Sequence, residues 1–251
     1  MKSFFLLPAI WGAAGLCYAQ SDLGLGLDST AISAEGPPVS APAAYDEAIC
    51  AAELCRQALW ERYQAAGSDE QRASFLSEAQ AAAQRIICED LIPHWYGTPW
   101  SFNGTSRLPG SGSIACGYFV TTVLRDAGYR LARVSLAQQA SELIIRSLVS
   151  RENIRRFSDA SMDRFIAALD AWGPGLYVVG LDIHVGFIVH DGQDAVFVHS
   201  SYVRPFQVVR EPLRDAPILV ASRYRVLGKL SADKGLAGKW LAADSIQTRT
   251  R

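Results

Sequence analysis

An excess of charge of either sign is missing from this chain: 24 Lys and Arg stand against 25 Asp and Glu, a formal net charge of −1 over 251 residues. A surface so balanced offers no electrostatic footprint for nucleic acid or for an anionic membrane. Cysteine is scarce, and five in a chain of this length cannot build a disulfide scaffold, although they suffice for one bridge and one reactive thiol. Long apolar runs are also lacking. The uncharged stretch Phe4 to Ala19 is shorter than the roughly 20 residues a membrane-crossing helix needs, and nothing later comes closer, so no stable membrane insertion is expected. There is no internal repeat. What is present, 49% hydrophobic and 10% aromatic residues, belongs to a folded chain of one or two domains with a substantial core.

Lys2 precedes the uncharged stretch, which ends in Cys17-Tyr18-Ala19 before Gln20, with small residues where a signal peptidase reads. Residues 1–19 are therefore expected to be a cleaved signal, making the protein exported, periplasmic or secreted. A buried N-terminal helix is the alternative, interrupted by Pro8 and two glycines. Lipid anchoring at Cys17 is another, poorly served by the bulky Leu16 before it. Residues 20–44 are rich in Gly, Ser, Ala and Pro and read as a flexible leader.

From Tyr45 the apolar residues recur every three or four positions (Ile49, Ala52, Leu59, Trp60, Tyr63) up to Gly67. Ser68 and Gln71 form a capping box that opens a second helix, expected to run to about Glu89. Residues 45–92 thus read as a helical hairpin. With its turn near Ser68, Cys50 and Cys88 lie almost equidistant from the turn, and in an oxidising compartment they are candidates for a disulfide. The other reading makes Cys50, Cys55 and Cys88 small buried apolar residues.

Beyond Pro93 comes an aromatic, glycine-rich segment, His94 to Gly104, in which His94 is a possible cleft residue; a Gly/Ser/Pro loop and a helix from Cys116 to Gly128 follow. Helices are expected over about 135–150 and 161–172, then strands at Leu176–Val179, Ile183–Val189, Ala195–His199, Phe206–Val209 and Ile218–Leu227, with a hairpin turn at His190-Asp191-Gly192-Gln193 that leaves His190 solvated. The tail from Ser231 reads as polar and loose. Helices followed by an antiparallel sheet predict an α+β domain over residues 93–230.

Cys116 follows a glycine loop and opens a helix, so unpaired N–H groups and the positive end of the helix dipole meet its sulfur and favour the nucleophilic thiolate. Taken alone, such a cysteine fits a packing role equally well. Two histidines add to it. His184 shares a strand face with Gly186, whose lack of a side chain leaves room beside the imidazole. The turn at Asp191-Gly192 brings His199 opposite the His184 region. A base on one strand oriented by a polar group on its neighbour follows the logic of a catalytic triad. Cys116, His184 and His199 also suit zinc by residue type, but no closely spaced ligand pair supports a metal site, so no metal or cofactor is expected. Asn103-Gly104-Thr105 matches a glycosylation acceptor and reads equally as loop chemistry.

The run Gly97 to Gly104, then Ala115-Cys116-Gly117-Tyr118-Phe119-Val120, His184-Val185-Gly186-Phe187 and Val198-His199-Ser200 resembles, in order, the motifs of the NlpC/P60 cysteine peptidases. The resemblance covers about Tyr96 to Leu227. It implies a papain-like core with Cys116 as nucleophile, His184 as base and His199 as the residue that orients it, no cofactor, and cleavage of amide bonds in peptidoglycan stem peptides. Where the family usually has Asp before the cysteine and Ser-Gly after it, this chain has Ala115 and Gly117-Tyr118; where the family often has an upstream Tyr, it has Trp100, with Tyr96 close by. Tyr96, Trp100, Ala115 and Gly117 are accordingly the candidate substrate-binding residues. The favoured expectation is an exported cysteine hydrolase. The alternatives are an amidase or acyltransferase with another acyl donor, and a non-catalytic exported binding module whose hairpin serves for docking.

Overall fold

The computed structural model describes residues 42–250, so the expected signal and most of the expected leader lie outside the described residues. The three leader positions 42–44 belong to the first helix, α1 (Pro42–Gln64). Ser68 caps α2 (Asp69–Arg85), its hydroxyl accepting from the Gln71 N–H, while the Gln71 side chain reaches back to the Gly67 N–H at 2.7 Å. The expected capping box thus forms the turn of the hairpin, and Arg62 and Glu78 clasp it at 2.6 Å.

Past Arg85 the helix does not continue in α geometry. Residues Ile86–Leu91 form a π-helical segment that leads into α3 (Ile92–Trp95). A π turn holds more residues than an α turn and rotates everything beyond it. Cys88 consequently turns inward against the core, while Cys50 stays exposed, and both are free thiols. The expected Cys50–Cys88 bridge is not formed.

The helix that Cys116 opens, α4 (Cys116–Asp126), is followed by β1 (Arg130–Leu131), α5 (Arg133–Ala137) and α6 (Ser141–Leu148). Next come β2 (Ile154–Ser158), which the sequence did not single out, and α7 (Met162–Trp172). Then follow β3 (Gly175–Leu181), β4 (Val185–His190), β5 (Ala195–Ser200), β6 (Val208–Pro212), the short α8 (Pro217–Ala221) and β7 (Tyr224–Lys229). The fold is mixed α+β, with a six-stranded antiparallel sheet in the order β2-β7-β3-β4-β5-β6. The strand expected at Ile218–Leu227 is split: Pro217 starts a helix, and only its second half enters the sheet.

Strand alternation assigns side chains to two apolar layers. Val178, Phe187, Val198 and Val226 face one way, against the helices α4 and α6; Tyr177, Ile188, Phe197 and Leu227 face the other, against Phe165 and Leu169 of α7. Because both faces are covered, these strands read as continuous apolar runs rather than alternating ones. Fully buried residues such as Phe119 and Phe187, in edge-to-face contact at 5.9 Å, each contribute about 1.5–3 kcal/mol by burial.

The hairpin and the tail are not accessories. Tyr45 donates to Asp126 at 2.9 Å and accepts from the Trp95 indole at 2.9 Å, tying α1 and α3 to the end of α4. The tail expected to be loose folds instead into α9 (Lys234–Ala242) and β8 (Ser245–Ile246), and β8 pairs in parallel with β1. Trp240 is fully buried and donates to the Ala127 carbonyl at 2.6 Å. Asp233 caps α9 at the Leu236 N–H and also holds Ser150. One core cluster runs from Tyr45 through α4 and the sheet to Ile246, so the boundaries drawn at 92 and 230 divide nothing that packs separately. Among the described residues, no helix is long and apolar enough to cross a membrane.

Candidate active site

The segment before Cys116 is fastened by three hydrogen bonds. Ile114 donates to the Pro99 carbonyl at 2.9 Å, Ala115 to the Gly104 carbonyl at 2.9 Å, and Ser200 Oγ donates to the Ile114 carbonyl at 2.7 Å. Gly104 has to be glycine, because a Cβ there would lie 2.6 Å from the Ile114 backbone nitrogen. Residues 97–100 in turn exchange backbone hydrogen bonds with 206–208. The aromatic glycine-rich run is thus laid between the start of β6 and the segment that leads into Cys116.

Cys116 is the first residue of α4, and the N-cap, Ala115, has no side chain that caps the helix. The first N–H groups stay available, and those of Val185, Gly117 and Cys116 itself favour the thiolate. Burial outweighs them and pushes the thiol above its ordinary value, contrary to the expectation of a thiolate at rest.

His184 lies in the turn just before β4 rather than within the strand, its carbonyl accepting from the Leu181 N–H at 2.8 Å. Its Nε2 is 2.9 Å from Nδ1 of His199, and His199 Nε2 is 2.8 Å from Glu211 Oε2. Gly186 makes this possible, since a Cβ there would lie 2.8 Å from the Cβ of His199: the room expected beside the imidazole is filled by His199 itself. Burial, and then the charge of His199, holds His184 well below the usual imidazole range; burial likewise lowers His199, against the opposing pull of Glu211. Both rings are therefore neutral at neutral pH. A carboxylate only accepts, so Nε2 of His199 carries its proton and Nδ1 is bare. His184 must then donate from Nε2, which leaves its own Nδ1 as a lone pair. That atom is buried and has no hydrogen-bond partner among the described residues.

Cys116 and His184 line one cleft of about 220 Å³, and no hydrogen bond joins the sulfur to Nδ1 of His184. Ala137, Ala140, Ile144 and Leu181 supply an aliphatic wall. Gly117 forms its floor, and a Cβ there would sit 2.3 Å from the Ala137 carbonyl oxygen, so the α5–α6 connection occupies the space where a side chain after the cysteine would project. Ile183, 79% exposed, and Asp182 stand at the rim. The Asp182 carboxylate accepts from Ser222 Oγ and the Arg223 N–H, both at 2.8 Å.

The other expected residues divide. Trp100 faces Tyr202 across 6.2 Å, and the Tyr202 ring lies edge-on to His184 at 5.2 Å. Tyr96 lies elsewhere: it is half-buried near Cys88 and Arg210, its phenol pushed up to about 12 chiefly by burial, and it does not line the cleft. His94 lies edge-on to Tyr45, on the hairpin side. His190 is buried rather than solvated, 3.2 Å from Asp170 and accepting from the Gly192 N–H. Among the described residues no group of His, Cys, Asp or Glu is arranged to hold a metal ion.

Two site residues escaped the sequence reading. Glu211 follows an expected strand end at Val209, whereas β6 runs on to Pro212. With His199 opposite Val209 and Phe197 opposite Glu211, alternation puts that carboxylate on the His199 face. Tyr202 sits in a loop and had no periodicity to reveal it. No family model matches the chain, and no curated protein or solved structure shows a significant match to it.

Proposed function

We propose that the protein is a cysteine hydrolase acting on an amide bond through an acyl-enzyme, on a papain-like core of the NlpC/P60 kind, and that it works outside the cytoplasm on peptidoglycan stem peptides. The observation that supports this most is the ordered chain from Glu211 through His199 to the bare Nδ1 of His184, in the same cleft as a cysteine at an uncapped helix start.

In this reading the resting pair is thiol and imidazole. Substrate brings Sγ–H and Nδ1 of His184 together; the proton passes to Nδ1 as sulfur adds to the carbonyl carbon. The N–H of Cys116 takes part of the oxyanion charge. The intermediate collapses with return of the proton from His184 to the departing amine, and water, deprotonated by the same nitrogen, releases the acid and the thiol. His199 holds the tautomer and Glu211 supports the imidazolium that forms. Cys116→Ala is expected to abolish amide cleavage while leaving circular dichroism unchanged; cleavage that survives this substitution rejects the mechanism.

A second reading, an amidase or acyltransferase for an acyl donor other than a wall peptide, draws support from the cleft. The family's substrate-recognising Asp and Ser are absent, the Ser position is closed by the Ala137 carbonyl, the wall is aliphatic, and the rim charge is a carboxylate. Incubation with stem-peptide fragments and with uncharged N-acyl amides, read by mass spectrometry, separates the two: Cys116-dependent loss of the former supports the wall substrate, and of the latter alone the other donor.

A further inference from the structure

On the other side of α6 from the Cys116 cleft, the last turn of that helix, the segment after it, the edge strand β2 and the C-terminal stretch converge on a larger cleft of about 390 Å³. Its lining is cationic. Arg146 comes from α6, Arg151 from the turn that follows, Arg156 from β2 and Arg249 from beyond β8, with Val149 and Ile154 as an apolar floor. The two clefts share α6 but no lining residue.

Two of the four guanidinium groups are held, and all four have donors to spare. Arg156 gives Nε and Nη2 to Glu142 Oε1, at 2.9 and 2.6 Å, and also meets the Tyr224 hydroxyl, which leaves part of its five-donor fork unused. Arg249 is fixed by its backbone N–H to Ser147 Oγ at 2.8 Å and by Nε to the Arg146 carbonyl at 2.7 Å, keeping both Nη atoms. The guanidinium groups of Arg146 and Arg151 make no hydrogen bond or ion pair among the described residues. Glu142 is the one carboxylate bonded to the cluster, and it is shared with the Tyr224 hydroxyl at 2.6 Å. A cation at a helix C-terminus or on an edge strand is ordinary, which accounts for Arg146 and Arg156 taken singly. It does not account for Arg249, carried 103 positions along the chain and locked against Arg146. Nor does overall composition explain the cluster, because the chain has no net positive charge.

Converging planar donors with little counter-charge match an oxyanion with several acceptor oxygens, and the guanidinium fork suits phosphate geometry. We propose that Arg146, Arg151, Arg156 and Arg249 form a binding site for a phosphate-bearing ligand, distinct from the Cys116 cleft. It does not depend on the hydrolase reading. The phosphate arrives either on a soluble phosphoester or on a lipid headgroup.

The test uses the folded protein with inorganic pyrophosphate as probe, titrated calorimetrically at constant ionic strength with sodium chloride as the reference. Saturable binding is expected, weakened at least tenfold in the double variant Arg151→Gln, Arg249→Gln, both sites being exposed so that the fold survives, and unchanged in Arg164→Gln, a surface arginine of α7. Sedimentation with phosphatidylglycerol vesicles then separates the sources. Capture that pyrophosphate displaces assigns the site to lipid phosphate; saturable pyrophosphate binding without capture assigns it to a soluble ligand. No binding beyond the chloride reference, full binding by the double variant, or vesicle capture that pyrophosphate leaves intact overturns the proposal.

Discussion

Glu211 never approaches the sulfur, yet it decides which nitrogen of His184 is bare. Replacing it by Gln turns an obligate acceptor into a group that can also donate, and both histidine tautomers lose their direction. Glu211→Gln is expected to lower kcat for amide cleavage by about 100-fold with little change in KM, and Glu211→Asp to restore part of it. Equal rates in Gln and wild type would remove Glu211 from the relay. The same buried rings make the protein sensitive to acid. His184 and His199 bind protons more weakly folded than unfolded, so their contribution is intact above the unfolded value near 6.5 and is lost as pH falls from there towards the depressed folded values. Stability measured by urea unfolding should fall by up to about 1.4 kcal/mol per pH unit for each ring below pH 6.5, and His184→Gln should flatten that slope; identical slopes would contradict it. Cys116 and the two histidines were legible from residue type, position and order. The resting state of the thiol was not, because a helix start is visible in sequence and the burial that overrides it is not.

At the scale of elements, what decided legibility was whether the signal was local. Ser68 and Gln71 announce their turn, and the branched and aromatic residues of β3 to β5 announce a sheet. The π segment after Arg85 has no such mark, and missing its extra rotation led to the expectation of a Cys50–Cys88 bridge. Pro212 and Pro217 misled in opposite ways: a strand runs up to the first, and a helix begins at the second where a strand was expected. α9 was missed because its apolar residues, Leu236, Trp240 and Leu241, are few, although they are buried. Gly117 shows how closely elements meet at the site. Gly117→Ser presses a Cβ on the Ala137 carbonyl and must part α4 from α5. It is expected to cost about 1–3 kcal/mol in chemical unfolding and to lower activity; a variant as stable as the parent would show that the α5–α6 connection yields freely.

The whole of residues 42–250 shares one principal core, with the Tyr45–Asp126–Trp95 hydrogen bonds, the Arg56 bond to the Leu241 carbonyl at 2.7 Å and the β1–β8 pairing linking its beginning, middle and end. Composition had allowed one or two domains, and the hairpin over 45–92 was drawn apart from the domain over 93–230; contacts distant in sequence join them. A single cooperative unfolding transition is therefore expected, with far-ultraviolet circular dichroism and tryptophan fluorescence coinciding in urea. Separate midpoints would restore the hairpin as an independent unit. The strand order carries a further consequence for how the molecule is made. β7, which follows β3 to β6 in the chain, is inserted between β2 and β3, and Trp240 seals the far end of the helix that Cys116 opens. Residues 217–246 therefore have to be in place before β2 can join the sheet and before the far end of α4 is covered. Cys116, His184 and His199 all precede that segment in the chain, so their surroundings are complete only once it has folded onto them.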